Sequence, residues 1–110
     1  MICDFGDVVV VPFPFVDLTA EKRRPSLILS RRAFNDSHGH SIFAMITTAA
    51  RSKWRSDVAI EELKKAGLNR PCVVRWKLFT LPNEFILRRA GSLASHDREK
   101  INAAARNILA

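Results

Sequence analysis

The chain has 110 residues, room for one domain around one core, and its two cysteines, Cys3 and Cys72, form no CxxC and have no histidine at ligand spacing. That pattern argues against zinc and fits two small thiols in a reducing compartment. Eighteen Lys and Arg against 11 Asp and Glu give a net charge of +7, which favours polyanionic partners, and the longest apolar run, Val8 to Pro12, is too short to cross a bilayer.

The N-terminus carries an acid, Asp4, where a signal peptide needs basic residues, so a cytoplasmic location is expected. Asp7 to Val11 is a β-branched run, and Pro12 and Pro14 stop that strand or push it to a sheet edge. Phe13 and Phe15 flank Pro14. The polar stretch 16–24 reads as a loop. A second strand follows Pro25 over Ser26 to Ser30, and Asn35 to His40 is turn-rich, with Gly39. Ile42 to Thr48 forms a third strand, followed by a basic loop, 49–57. Ile60 to Ala66 predicts a helical turn or two, closed by Gly67 in the left-handed cap position. Cys72 to Phe79 and Phe85 to Arg89 are the fourth and fifth strands. Ser95 then caps a terminal helix with Asp97 and Glu99 in its first turn. Its apolar stripe, Ile101, Ala104, Ala105 and Ile108, is expected against the barrel or a second subunit.

Five strands and one terminal helix predict a mainly β (α+β) single domain over 1–110, a small curved antiparallel barrel. The two basic loops follow the first and third strands, which places them on one side. They carry Lys22, Arg23 and Arg24, and Arg51, Lys53 and Arg55. Arginine dominates these clusters, and its planar fork grips phosphate oxygens in pairs. Trp54, between Lys53 and Arg55, fits either stacking on an unpaired base or anchoring the loop from below; Phe15 poses the same choice. Trp76 alternates with Arg75 and Lys77, so it faces the opposite side of its strand, toward the core or a dimer interface. On residue type alone, Arg24 also fits a surface charge, Thr47 an ordinary strand residue, and Arg75 a partner for an acid such as Glu84.

Four segments in order carry a family resemblance. They are Gly6-Asp7-Val8-Val9-Val10-Val11-Pro12, Arg24-Pro25-Ser26-Leu27-Ile28-Leu29-Ser30, Met45-Ile46-Thr47-Thr48, and Val73-Val74-Arg75 followed by Gly91-Ser92-Leu93. Each is weak alone; together, from about Phe5 to Leu109, the chain resembles the MazF/PemK toxins of type II toxin–antitoxin systems. The resemblance implies an SH3-like barrel of the PemK/CcdB-like kind and a homodimer. It implies cleavage of single-stranded RNA without a cofactor or metal: the ribose 2′-OH attacks its own 3′ phosphate, leaving a 2′,3′-cyclic phosphate and a 5′-OH. It also implies a cognate acidic antitoxin, with DNA contacted only through the toxin–antitoxin complex, and no role for a membrane.

Carried over residue by residue, the resemblance makes Arg24, Thr47 and Arg75 catalytic. The surrounding residues Phe15, Lys22, Arg23, Thr48, Arg51, Ser52, Lys53 and Trp54 are the expected RNA contacts. In-line attack builds charge on the non-bridging oxygens, which two guanidinium groups and a hydroxyl suit, whereas arginine is a poor proton shuttle. Members of the PemK branch have an acid two residues beyond the strand-four arginine, and this chain has Lys77 there, which leaves the general base open. Asp17 and Glu21 are candidates by position, and His38, His40 and His96 by chemistry. The first loop also lacks the glycine common in the family. The alternatives are a non-catalytic barrel toxin that binds DNA gyrase, and an RNA-binding module without cleavage activity.

Overall fold

The computed structural model describes residues 1–13 and 22–109. The sequence expectations for Phe15, Asp17, Glu21 and most of the first basic loop lie outside those residues. A six-stranded, wholly antiparallel sheet curls into a half-barrel, with a C-terminal helix. Its strands are β1 (Asp7–Phe13), β2 (Lys22–Ile28), β3 (His40–Thr48), β4 (Val58–Ala59), β5 (Cys72–Pro82) and β6 (Arg88–Ser92), in the order β4-β5-β3-β2-β1-β6. The helices are α1 (Arg32–His38) and α2 (Ser95–Leu109).

The first strand does not stop at Pro12. It pairs β6 only through Val10, so Pro12 lies where β1 has one neighbour, and its missing N–H costs no ladder bond on the free side. Pro25 sits in β2 by the same logic, one residue short of the stretch paired with β3. Lys22, Arg23 and Arg24 therefore belong to a strand rather than a loop.

Residues 32–38 form a helix where a turn-rich stretch was expected. The Arg32 N–H donates to the Asp4 carboxylate (2.9 Å), a cap supplied from 28 positions away. Asn35 is fully buried: its amide donates to the carbonyls of Cys3 and Ser30, its carboxamide oxygen accepts from the Ser30 hydroxyl, and its carbonyl accepts from Asn83. Gly39 ends the helix at φ +66°. Asn83 also holds the Ser41 hydroxyl, so residues 83–85 turn tightly, and the last strand begins at Arg88 instead of Phe85.

Each sheet face carries its own core. Val8, Leu27, Ala44, Ile46, Val74 and Trp76 pack with Leu93 and with Ile101 of α2. Val9, Val11, Ile28 and Phe43 pack on the other face, where Phe43 stacks on Phe79 at 5.1 Å. Of the helical stripe, Ile101, Ala104 and Ala105 join the first core, while Ile108 is 43% exposed. The expected helix at 60–66 is a hydrogen-bonded turn, with Gly67 in the left-handed region at φ +76°. This turn bridges the seam between the β4 and β6 sides. Ser92 N–H donates to the Lys65 carbonyl, and a Cβ at Gly67 or Gly91 would stand 2.2 Å from Ala90 O or 2.4 Å from Lys65 O. Only glycine permits that approach.

Asp97 lies in the first turn of α2, as expected, and also reaches beyond its own helix. It is buried and accepts the N–H groups of Glu61 and Glu62, with Lys100 beside it. Burial by itself would raise its pKa, but the Glu62 and Glu61 N–H bonds and Lys100 outweigh this and hold the carboxyl below its usual range. Asp97→Ala therefore costs about 2 kcal/mol, measurable by urea denaturation, because the part-buried Glu61 and Glu62 N–H groups lose their acceptor. With a folded pKa below the unfolded one, the contribution is present above the ordinary carboxylate range. It is lost as pH falls through the lowered value, so acidification narrows the gap between wild type and Asp97→Asn.

Candidate active site

The register places the site. Ladder pairing between β2 and β3 ends at Ser26–Met45, yet β2 extends back to Lys22 and β3 forward to Thr48. Between the diverging ends lies a cleft of about 470 Å³, lined by Phe13, Arg24, Pro25, residues 45–48, Arg51, Leu68–Arg70 and Cys72. Pro25 has no N–H to leave unpaired there.

Alternation along the strands sorts the side chains. Val11 pairs with Arg24, Ser26 with Met45, and Met45 with Arg75, so Arg24, Met45, Thr47 and Arg75 point to the same sheet face as Val11 and Phe43. That face is apolar at the Phe43 end and becomes hydroxylic and cationic at the Thr47 end. Arg24 is exposed, with its guanidinium carbon 5.5 Å from the Phe13 ring centre. Among the described residues, no carboxylate pairs with Arg24, Arg51, Arg70 or Arg75, so four cations stand uncompensated in or beside the cleft.

Of the expected catalytic residues, Arg24 and Thr47 both line the cleft. Arg75 is not in the lining; it lies one strand over, opposite Met45, with its guanidinium 4.6 Å from the centre of the Trp54 ring. Glu84 makes no ion pair with it. Of the expected RNA contacts, Thr48 and Arg51 line the cleft, while Lys22, Arg23, Lys53 and Trp54 are exposed outside its lining. Ser52 turns inward, with its hydroxyl buried. Trp76 is in the core, as alternation predicts.

No histidine or carboxylate lies among the described lining residues. His40 Nδ1 faces the His38 carbonyl, and His96 pairs with Glu61 at 2.7 Å, on the first turn of α2. Cys72 does line the cleft, but burial pushes its thiol pKa up, which disfavours a thiolate nucleophile.

A family-wide sequence profile, described as PemK-like, MazF-like toxin of type II toxin-antitoxin system, matches residues 4–109. The chain belongs to that toxin family. Solved structures of this kind share its fold. The Mycobacterium tuberculosis toxin MazF-mt6 is 25% identical, with a TM-score of 0.73 over 94% of this chain and 95% of its own. A MazE-MazF complex from Deinococcus radiodurans is 16% identical, with a TM-score of 0.76 over 99% and 96%. An endoribonuclease in complex with its cognate antitoxin, from a mycobacterial species, is 19% identical, with a TM-score of 0.75 over 98% and 93%. No curated protein matches the sequence.

Among the lining residues of this MazF-like toxin that the sequence did not mark as site residues are Phe13, Leu68, Asn69 and Arg70. Phe13 was legible as an aromatic leaving a strand beside Arg24. The other three were not, because they reach the cleft through the Gly67 turn packed on Ala90, a contact between segments distant in the chain.

Proposed function

We propose that this toxin is a metal-independent endoribonuclease that cuts single-stranded mRNA by attack of a ribose 2′-OH on the adjacent phosphate. The observation that carries the reading is the gap between β2 and β3, a cleft that Arg24 of β2 and Thr47 of β3 line together with Arg51 and Arg70. The 2′-oxygen forms a bond to phosphorus as the bond to the 5′-oxygen breaks. The 2′ proton leaves and the 5′-oxygen gains one, giving a 2′,3′-cyclic phosphate and a 5′-OH. Arg24, joined from the rim by Arg75, holds the charge that grows on the non-bridging oxygens. Thr47 orients the 2′-OH or donates to the same phosphate. Asp17 and Glu21 are the candidates for proton transfer, and Lys22, Arg23, Arg51, Lys53 and Arg70 track the backbone of the strand.

The partner that restrains such a toxin is a protein antitoxin with an acidic segment, complementary to a chain of net charge +7. The MazE-MazF and endoribonuclease–antitoxin complexes among the similar structures support that partner. Incubating the purified protein with single-stranded RNA in EDTA tests the activity. Fragments with cyclic-phosphate and 5′-OH ends are expected; RNA that binds but stays intact, or is cut only when magnesium is added, contradicts the proposal.

A further inference from the structure

We propose that Trp54 is a positioning residue, holding the Arg75 guanidinium in the orientation that meets the scissile phosphate. The proposal rests on the ribonuclease reading and deepens it. Three observations meet at this pair. The Arg75 guanidinium lies over the Trp54 ring at 4.6 Å, and Arg75 has no carboxylate partner among the described residues. Its Nε–H is buried with no acceptor among the described residues, so the side chain is drawn in along the sheet rather than waving in solvent. The Trp54 backbone is itself fixed at both ends by one residue: its N–H donates to the Asp57 carboxylate at 3.2 Å, and its carbonyl accepts the Asp57 N–H at 3.1 Å.

An aromatic face suits this task better than an acid. A carboxylate would neutralise the cation and occupy the donors that a phosphate needs, whereas the face of an indole attracts the cation and takes none of its five N–H groups. Arg75 starts opposite Met45, which lines the cleft, so a guanidinium held in one orientation at the rim can meet a phosphate lodged between β2 and β3. Trp54 is 41% exposed, which leaves direct stacking on an RNA base as the rival role.

A double-mutant cycle separates the two roles. Trp54→Leu should lower kcat about tenfold with little change in KM, and Trp54→Phe should restore most of it. In an Arg75→Ala background Trp54→Leu should have no further effect. Equal losses with and without Arg75, or a rise in KM at unchanged kcat, overturn the proposal and assign Trp54 to the RNA directly. The contact has a readout independent of activity: the Arg75 Nε–H NMR resonance should carry an upfield ring-current shift that disappears in Trp54→Leu. An unmoved resonance overturns the proposal. A wild-type protein that leaves RNA intact while the resonance moves overturns the ribonuclease reading, and the catalytic role of Trp54 with it.

Discussion

Arg24→Ala should lower RNA cleavage by about 10²–10³-fold while leaving the folded protein intact. The guanidinium stands on the wall of the cleft, paired with no carboxylate among the described residues, beside a strand end whose backbone has left the ladder. A phosphate entering between β2 and β3 meets that charge without displacing a carboxylate of the described residues. The removed atoms are exposed and touch the Phe13 ring edge of the cleft rather than a core, so stability should change by no more than about 0.5 kcal/mol. Initial rates on a defined oligonucleotide, with a urea melt of the same preparation, check both halves. Wild-type rates in the variant would remove Arg24 from the chemistry, and a collapsed melt would make it structural.

The second large effect is expected at Arg75. Arg75→Ala should reduce cleavage about 10²-fold, mostly in kcat, because a donor made useful only as charge develops is lost. Arg75→Lys should recover only part of that loss: ammonium restores the charge but not the flat fork that lies over Trp54 and engages two oxygens at once. Unlike Arg24, this side chain is half-buried over the sheet, so a modest stability cost of about 1 kcal/mol accompanies its truncation. Single-turnover rates with saturating enzyme isolate the chemical step, and a loss confined to binding would contradict the assignment.

The sheet was legible where neighbours in sequence do the work. Asp7 to Val11, Leu27 and Ile28, and Ile42 to Thr48 are β-branched or apolar runs, the first two buried on both faces of the sheet, and they lie in strands as expected. Helix α1 was not legible, because its cap is the carboxylate of Asp4 and its hub is Asn35 bonded to Cys3, Ser30 and Asn83. No window around Arg32 contains Cys3, Asp4 or Asn83. The shift of the last strand toward Ser92 has the same origin, in the Asn83 bonds and in the close approach of Gly91 to Lys65.

The site divides along the same line. Arg24, Thr47, Thr48 and Arg51 could be found from their motifs and from the family they resemble, and the structure brings them to one cleft. Asn69 and Arg70 arrive on a turn whose position depends on Gly67 meeting Ala90, a packing event with no local signature. The partnership of Trp54 with Arg75 was hidden for a related reason. A tryptophan in a basic loop announces an aromatic face but not which cation will cover it.

The proposed chemistry draws its nucleophile from the RNA itself, and a substrate with one altered sugar examines that point most directly. An oligonucleotide carrying a 2′-deoxyribose only on the 5′ side of the cut phosphodiester should bind as tightly as its all-ribose twin and stay uncut there, even after prolonged incubation with excess enzyme. Scission of that phosphodiester would mean that water or a protein group attacks the phosphorus, and the cleft between β2 and β3 would need a different chemistry.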